Sequence, residues 1–385
     1  MDPRSLVLEL AREAGFDLAG VAPLAPPPDA GRFEAWLAAG HHGDMAWLQQ
    51  DRARITDPRR IDPRGRSLLV VGLAHSRAAV ELPGGGRIAR YAAGRDYHNV
   101  VQKRLRGLAK RLRRAGLGLP GRTVVDAGPL MERSHAFAAG VGFPSKAANL
   151  LHPAFGPFFF LGEVLLDLDL EPTRDSLPAG SCGTCTACID ACPTQAIVAP
   201  GVVDARRCIS YHTIESRAPV PMELRPALGP WAFGCDVCSE VCPWTSRAPD
   251  LAARFGDHQG LRDAHERGIV SLLSLATDAA ADSAAQEERF RARFEGSSLR
   301  RPGREVVARS AALALGNVPS DEGRVALLAA LSDDPAALVR EAAGWALARG
   351  HANDAGARAA VERAAAAERA PWARAALRAH LAGPA

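Results

Sequence analysis

Lysine is nearly absent from this 385-residue chain: of its 47 basic residues only Lys103, Lys110 and Lys146 are lysine, the rest being arginine. That bias, with heavy use of Ala, Gly and Pro, follows genome composition. With a formal net charge of only +4, overall basicity therefore says little about nucleic acid, and the location of charge matters more than its total. The chain also lacks any apolar run near the ~20 residues that a membrane-spanning helix needs. Its first residues, Met1-Asp-Pro-Arg4, open a helix and not a secretory leader. The expectation is a soluble, cytoplasmic protein with no membrane partner. Cysteine, finally, is missing before Cys182 and after Cys242.

The eight cysteines inside that window form two halves of one pattern. Cys182-Gly-Thr-Cys185-Thr-Ala-Cys188-Ile-Asp-Ala-Cys192-Pro193 has the C-x2-C-x2-C-x3-C-P spacing in which three thiolates bind one 4Fe-4S cluster and the fourth reaches a second. Cys235-Asp-Val-Cys238-Ser-Glu-Val-Cys242-Pro243 lacks one upstream ligand, and Cys208 is the cysteine left to supply it. The crossover of two-cluster ferredoxins assigns Cys182, Cys185, Cys188 and Cys242 to one cluster and Cys192, Cys208, Cys235 and Cys238 to the other. Cysteine pairs two residues apart also bind structural zinc. Zinc, however, needs neither the third cysteine two residues on nor a proline after the last ligand. A disulfide framework belongs to short secreted chains.

Around this window the chain reads as three further regions. Residues 1–172 alternate helical stretches with short apolar strands. Asp2 caps a helix to about Gly15, and Phe16 to Ala22, Ser67 to Ala74, Arg122 to Asp126 and Phe158 to Asp167 are strand candidates. This predicts an α/β domain with function on its loops. Residues 173–250 hold the cysteines in a Pro-rich ferredoxin-type domain, and residues 251–294 connect it to an Ala-rich helical region, 295–385. That region repeats: Arg309, Arg340 and Arg374 head similar segments at spacings of 31 and 34 residues, which suggests paired helices stacked like HEAT units. Residues 289–309 carry Arg289, Arg291, Arg293, Arg300, Arg301, Arg304 and Arg309 against Glu295 and Glu305. Such a stretch is either a solvated helix face or a stripe for phosphates.

Three motifs resolve into bland readings. Gly116-Leu-Gly118-Leu-Pro-Gly121 has the letters of a dinucleotide fingerprint but follows a helix and precedes a strand, the reverse of the required order, and reads as a helix stop. Gly84-Gly-Gly86 has no following Lys-Ser/Thr and is no P-loop. Asp96-Tyr-His98 begins like the D-x-H-x-x-G cobalamin motif, but Val101 stands where glycine is needed, so a capping or packing role is expected there. Asp126 differs: a strand ends on it, a Gly-Pro turn follows, and a helix then starts. A partly desolvated carboxyl in that position can hold and deliver a proton, although Asp also favours such turns for local reasons.

Taken together, Gly94-Arg-Asp-Tyr-His98, Val125-Asp126-Ala-Gly-Pro-Leu-Met-Glu-Arg133, Gly142-Phe-Pro-Ser-Lys146, the Cys182 to Pro193 run, Arg207-Cys208-Ile-Ser210-Tyr and Gly234-Cys235-Asp236-Val-Cys238 resemble the epoxyqueuosine reductase family. The resemblance extends through the C-terminal repeats, and the family is similar in core design to reductive dehalogenases. It implies a cobalamin-binding N-terminal domain, two 4Fe-4S clusters, a tRNA substrate and removal of the epoxide oxygen of epoxyqueuosine. It further implies Asp126 as proton donor, cob(I)alamin as the species that attacks or reduces the epoxide, and the second cluster lying against the cobalt cofactor. Arg54, Arg133, Lys146, Asn149, Phe160, Ser210, Cys235 and Asp236 match corrin-pocket positions, with Asp126 facing the same cofactor. It implies no lower histidine ligand, an external flavodoxin- or ferredoxin-type electron donor, and a monomer. A tRNA substrate favours the phosphate reading of Arg300, Arg301 and Arg304. Two positions depart from the family pattern, His212 and Ser310, and bear on tRNA contact. The alternatives are a dehalogenase-like reductase of a small molecule, or an electron-transfer ferredoxin fused to a protein-binding repeat scaffold.

Overall fold

The apolar run Ser67–Ala74 folds as a strand buried along its whole length, and its side chains divide between two cores. Leu69, Val71 and Leu73 join Val7, Ala11, Val101, Leu105, Leu108 and Leu112 on one face, whereas Leu68, Val70 and Ala74 join Ala136 and Ala139 on the other. The two-residue period of a strand forces this division. The structure, a computed structural model, describes residues 2–75, 79–118, 120–174, 180–274 and 282–382. Residues 175–179 of the expected ferredoxin-type segment and 275–281 of the expected connecting segment lie outside the described residues.

The chain forms two units that interleave in sequence, residues 1–78, 96–206 and 237–256 making one and residues 79–95, 207–236 and 257–385 the other. The chain therefore passes between units after residues 78, 95, 206, 236 and 256, the last close to the expected boundary at 250, and not near 172 or 294. The first unit is built on a four-stranded sheet of β1 (Leu18–Pro23), β2 (Ser67–Ala74), β3 (Pro120–Val124) and β4 (Phe159–Leu166), in the order β1-β2-β4-β3 with every pair antiparallel. Helices α1 (Pro3–Glu13) and α2 (Tyr97–Arg114) cover one face and α3 (Glu132–Ala138) the other. The alternation in the sequence suggests an α/β sheet, and the antiparallel pairing differs from the parallel arrangement usual in that class. Strands covered by helices on both faces read as continuous apolar runs, the pattern otherwise typical of parallel strands.

Local chemistry sets the helix ends. Asp2 caps α1 by accepting from the Ser5 N–H at 3.1 Å, and Asp96 caps α2 by accepting from the His98 N–H at 3.0 Å. Gly116 and Gly118, with φ of +72° and +73°, end α2 as a stop signal and not as a phosphate loop. A Cβ at Gly162 in β4 would approach Leu105 and Val101 of α2 to 3.0 Å, so glycine there lets helix and sheet meet closely.

The second unit contains a small three-stranded sheet and a C-terminal array of α4 (Arg304–Asn317), α5 (Asp321–Asp333), α6 (Ala337–Gly350), α7 (Ala355–Ala367) and α8 (Pro371–Leu381). Helix α4 packs on α6 and α6 on α8, while α5 packs on α7, giving two layers. No helix among the described residues is long and apolar enough to cross a membrane.

Arginines stitch this unit internally. Arg225 makes a bidentate pair with Glu341 at 2.8 and 3.0 Å, and His380 meets the same carboxylate at 2.8 Å. Arg309 is buried and donates to the carbonyls of His212, Ser216 and Ala218 and to the Ser310 hydroxyl. The two departures from the family pattern are both buried beside this arginine, His212 meeting it through its backbone carbonyl and Ser310 through its hydroxyl. Arg304 corrects an expectation: it is 1% exposed and forms a bidentate pair with Asp334 at 3.0 and 3.2 Å, so it is not available to a phosphate. The sequence shows charge but not which helix face it occupies. Replacing Asp334 with Ala leaves a buried, unpaired guanidinium and is expected to cost about 3 kcal/mol in urea unfolding. A loss below about 1 kcal/mol would mean that Arg304 reaches solvent.

Candidate active site

Asp126 lies two residues beyond the end of β3, with a left-handed backbone at φ +52° that a non-glycine residue adopts only when its surroundings hold it there. Its carboxylate Oδ2 accepts from the Tyr97 hydroxyl at 2.6 Å and lies 3.1 Å from His98 Nε2. Its backbone N–H donates to Glu132 Oε1 at 2.6 Å. Tyr97 and His98 form the first turn of α2, Glu132 opens α3, and so three elements converge on one residue. The Tyr97 ring stacks on Phe160 at 4.1 Å and 2°, and Phe160 stacks in turn on His75 at 4.1 Å.

His98 bridges two carboxylates, since its Nδ1 lies 2.8 Å from Asp96. Burial works against the imidazolium, but the hydrogen bonds and charges of Asp126 and Asp96 outweigh it and push His98 up to about 9. At neutral pH it therefore donates from both nitrogens, and neither is left to ligate a metal. Burial also opposes ionisation of Asp96, yet its bonds to His98 hold that carboxyl below the ordinary range. The Asp96-to-His98 stretch thus caps a helix as expected and also supplies Tyr97 and His98 to Asp126, a role that its sequence did not disclose. Asp126 itself is 44% exposed at its side chain, so its carboxyl is only partly desolvated. The desolvated carboxyls stand behind it: Glu163, fully buried in β4, and Glu132. Burial first raises both; the charge of Asp126 then adds to it for Glu132, taken to about 7, and the charge and hydrogen bond of Glu132 add to it for Glu163, taken well above the usual carboxylate range.

The same unit brings all four cysteines of the first set together. Cys182, Cys185, Cys188 and Cys242 line one open cavity with Cys238, Asn149, Ser239 and Trp244. Burial, with neighbouring thiols adding to it, pushes Cys188 and Cys242 up. Among the described residues no three His, Cys, Asp or Glu side chains close on a single point as ligands of one ion would. Thiols spread around a cavity suit a cluster of several irons better than a lone zinc. Lys146 reaches over this cavity to the carbonyls of Gly183 and Cys185 at 2.8 and 3.0 Å, and Asn149 donates to Ser239 at 3.4 Å.

A profile described as "4Fe-4S double cluster binding domain" matches residues 181–245, and one described as "Epoxyqueuosine reductase QueG, DUF1730" matches residues 55–127. The epoxyqueuosine reductase of Xanthomonas campestris pv. campestris is 40% identical over 356 residues, covering 90% of this chain and 96% of its own. This chain belongs to the epoxyqueuosine reductase family. The Pseudomonas aeruginosa epoxyqueuosine reductase is 38% identical over 360 residues, covering 90% of this chain and 95% of its own. A crystal structure of epoxyqueuosine reductase with an epoxyqueuosine-modified tRNA-Tyr stem loop is similar at a TM-score of 0.85 and 25% identity, over 98% of this chain and 97% of that one. So is the Bacillus subtilis epoxyqueuosine reductase with a catalytic aspartate loop swung out of the active site, at 0.82 and 25%, over 98% of each chain.

As a member of the epoxyqueuosine reductase family the chain is an oxidoreductase with a double-cluster domain. Its remaining predicted site residues are distributed as follows. Arg133 donates to the Ala148 carbonyl and so joins Lys146 and Asn149 along one loop. Arg54 lies exposed on the short helix Arg52–Thr56, paired with Asp51, and no contact joins it to that loop. Ser210, Cys208, Cys235 and Asp236 belong to the second unit and Cys192 and Cys238 to the first. Asp236 is buried and accepts from the Arg90 N–H at 2.7 Å.

Two outcomes follow. In Cys182→Ser, iron is expected to fall from about eight to about four atoms per chain; unchanged iron would remove Cys182 from the ligand set. The NMR titration midpoint of His98, expected near 9, should fall in Asp126→Asn because a raised midpoint needs its anionic partners. A midpoint that stays put would break the pairing.

Proposed function

We propose that this chain reduces epoxyqueuosine in tRNA to queuosine, with Asp126 delivering the proton that the departing epoxide oxygen requires. The observation that carries this reading is the solvent-reaching Asp126 carboxylate held between a tyrosine hydroxyl and an imidazolium. Converting an epoxide to an alkene and water consumes two electrons and two protons. His98 keeps a proton 3.1 Å from the Asp126 oxygen, close enough to recharge the carboxyl after each transfer. Tyr97 fixes the direction of that oxygen, and its stack on Phe160 fixes Tyr97.

The residues present fit a corrin, whose rim of amides calls for polar partners: Arg133 of α3 reaches the loop that carries Lys146 and Asn149, Asn149 lines the cysteine cavity, and Phe160 adjoins Tyr97. Arg54, Ser210, Cys235 and Asp236 complete the set by resemblance. His98 is committed to two carboxylates, in keeping with a cofactor that takes no histidine from this site. Cobalamin, when bound, would supply the low-valent metal centre that breaks the C–O bond, recharged through the two clusters. Cys192, Cys208, Cys235 and Cys238 form the second ligand set in this reading, and an external flavodoxin- or ferredoxin-type protein supplies the electrons. The protein works as a cytoplasmic monomer, with residues 295–385 as HEAT-like repeats.

The tRNA contact shifts from where the charge run placed it. Lys103, Arg106, Lys110, Arg113 and Arg114 lie at three- and four-residue steps on the outer face of α2, opposite buried Val101, Leu105, Leu108 and Leu112. All five are exposed, none makes a side-chain ion pair or hydrogen bond among the described residues, and α2 contains no acid. They form a row about 17 Å long on the helix whose first turn holds Asp126, which suits an RNA backbone whose modified nucleotide sits at that carboxyl. Arg300, exposed, and Arg301, paired with Glu215 at 2.9 Å, remain as secondary contacts. A small-molecule reductase or a plain electron carrier gives such a row no role.

Reconstituted Asp126→Asn protein is expected to keep its iron and corrin absorption and to lose turnover, read as loss of epoxyqueuosine from tRNA digests by mass spectrometry. Full activity would falsify the proton-donor role. A Lys110→Glu, Arg113→Glu double variant should bind tRNA at least about tenfold more weakly, with a shallower salt dependence, at unchanged iron content. Unaltered affinity would return the contact to the Arg300 region.

A further inference from the structure

The carboxyl pair behind the Asp126 loop is used by none of the steps above. Glu163 sits in the middle of β4, opposite Val70 of β2 and Val124 of β3, at 0% exposure. Alternation along β4 turns it to the α3 side of the sheet, where it meets the carboxyl of Glu132. Among the described residues no hydrogen-bond donor from elsewhere reaches either Glu163 oxygen. Two bare carboxylates cannot share such a buried site, so a proton lies between them.

Glu132 has a second engagement, accepting the Asp126 N–H at 2.6 Å. Asp126 is held at φ +52°, a left-handed conformation that is strained for any residue with a Cβ, so the loop depends on that bond. The charged neighbours of the pair are Asp126 from the loop and Arg133 from α3, with His98 and Asp96 of α2 beyond Asp126. His135 of α3 is neutral, since burial takes it down to about 4. The facing positions of β2, Leu68 and Val70, are apolar.

We propose that Glu132 and Glu163 are positioning residues for Asp126: they hold one proton between them, and the anionic Glu132 oxygen fixes the Asp126 peptide so that its carboxyl stays against Tyr97 and His98. This rests on Asp126 being the carboxyl that serves the epoxide. Loss of the shared proton sets two anions against each other and releases the loop, so turnover has an alkaline limb that belongs to the pair. Because burial raises both groups, the folded state binds a proton that the unfolded chain gives up above the ordinary carboxylate range. The pair's contribution to stability is accordingly present at low pH and lost as pH rises through the raised folded-state values, about 7 for Glu132, with Glu163 also held well above the usual carboxylate range.

The test uses the full chain and two isosteric variants. Glu163→Gln keeps a permanent donor toward Glu132. It is expected to abolish the protonated-carboxyl infrared band seen at pH 7 in glutamate-13C-labelled resting protein, to leave the His98 midpoint where it was, and to remove the alkaline limb of kcat. Glu132→Gln loses the anionic acceptor. It should lower kcat about 10- to 100-fold, with KM for tRNA changed less than about twofold and the His98 midpoint falling toward 6.5 as Asp126 swings away. A wild-type protein without a protonated-carboxyl band, or Glu132→Gln with an unmoved His98 midpoint, overturns the proposal. Both readouts are taken without substrate or cofactor turnover, so they decide it even if the wild-type protein fails to reduce epoxyqueuosine.

Discussion

The arrangement of the first unit depends on one strained residue held from three sides. Asp126 in a left-handed conformation presents its carboxylate to the first turn of α2 and its N–H to the first residue of α3, while Val125 anchors it in the core beneath. Each holder is itself fixed by burial: α2 by Val101, Leu105, Leu108 and Leu112 on the sheet, α3 by Ala136 and Ala139 on the opposite face. A buried sheet with helices on both sides is thus the frame that lets one solvent-reaching carboxylate keep two donors on one oxygen. In the proposed reaction this arrangement serves as the proton supply, imidazolium next to a carboxylate that reaches solvent.

Cation use separates structure from recognition. Arg225, Arg304, Arg309 and Arg340 end on buried carboxylates or carbonyls within the second unit, where a guanidinium fork satisfies several acceptors at once. Such arginines tie the segments of that unit together from within. The exposed row on α2 is different in kind: two of the chain's three lysines stand in it, on long stems in water, the form the proposed phosphate contact would use.

Much of this was legible in the residues. Strand positions in the four-stranded sheet followed from apolar runs, the start of α1 from Asp2 and the end of α2 from Gly116, and the thiol cavity from cysteine spacing, because each signal is local. Asp126 stood out through the strand-turn-helix pattern around it. The partners of Asp126 were hidden: Tyr97 and His98 lie almost 30 residues upstream, and only the packing of α2 on the sheet brings them there. Glu163 was invisible as a lone acid inside an apolar strand. The antiparallel order and the burial of Arg304 were missed for a shared reason, since composition reports what a segment contains and not which neighbour it faces.

The most direct test of the account is the nucleoside content of tRNA from cells that lack this chain, before and after the gene is returned. Epoxyqueuosine should accumulate in its absence and convert to queuosine when the wild-type chain, but not its Asp126→Asn variant, is restored. Normal queuosine without the chain, or full rescue by the variant, would contradict it.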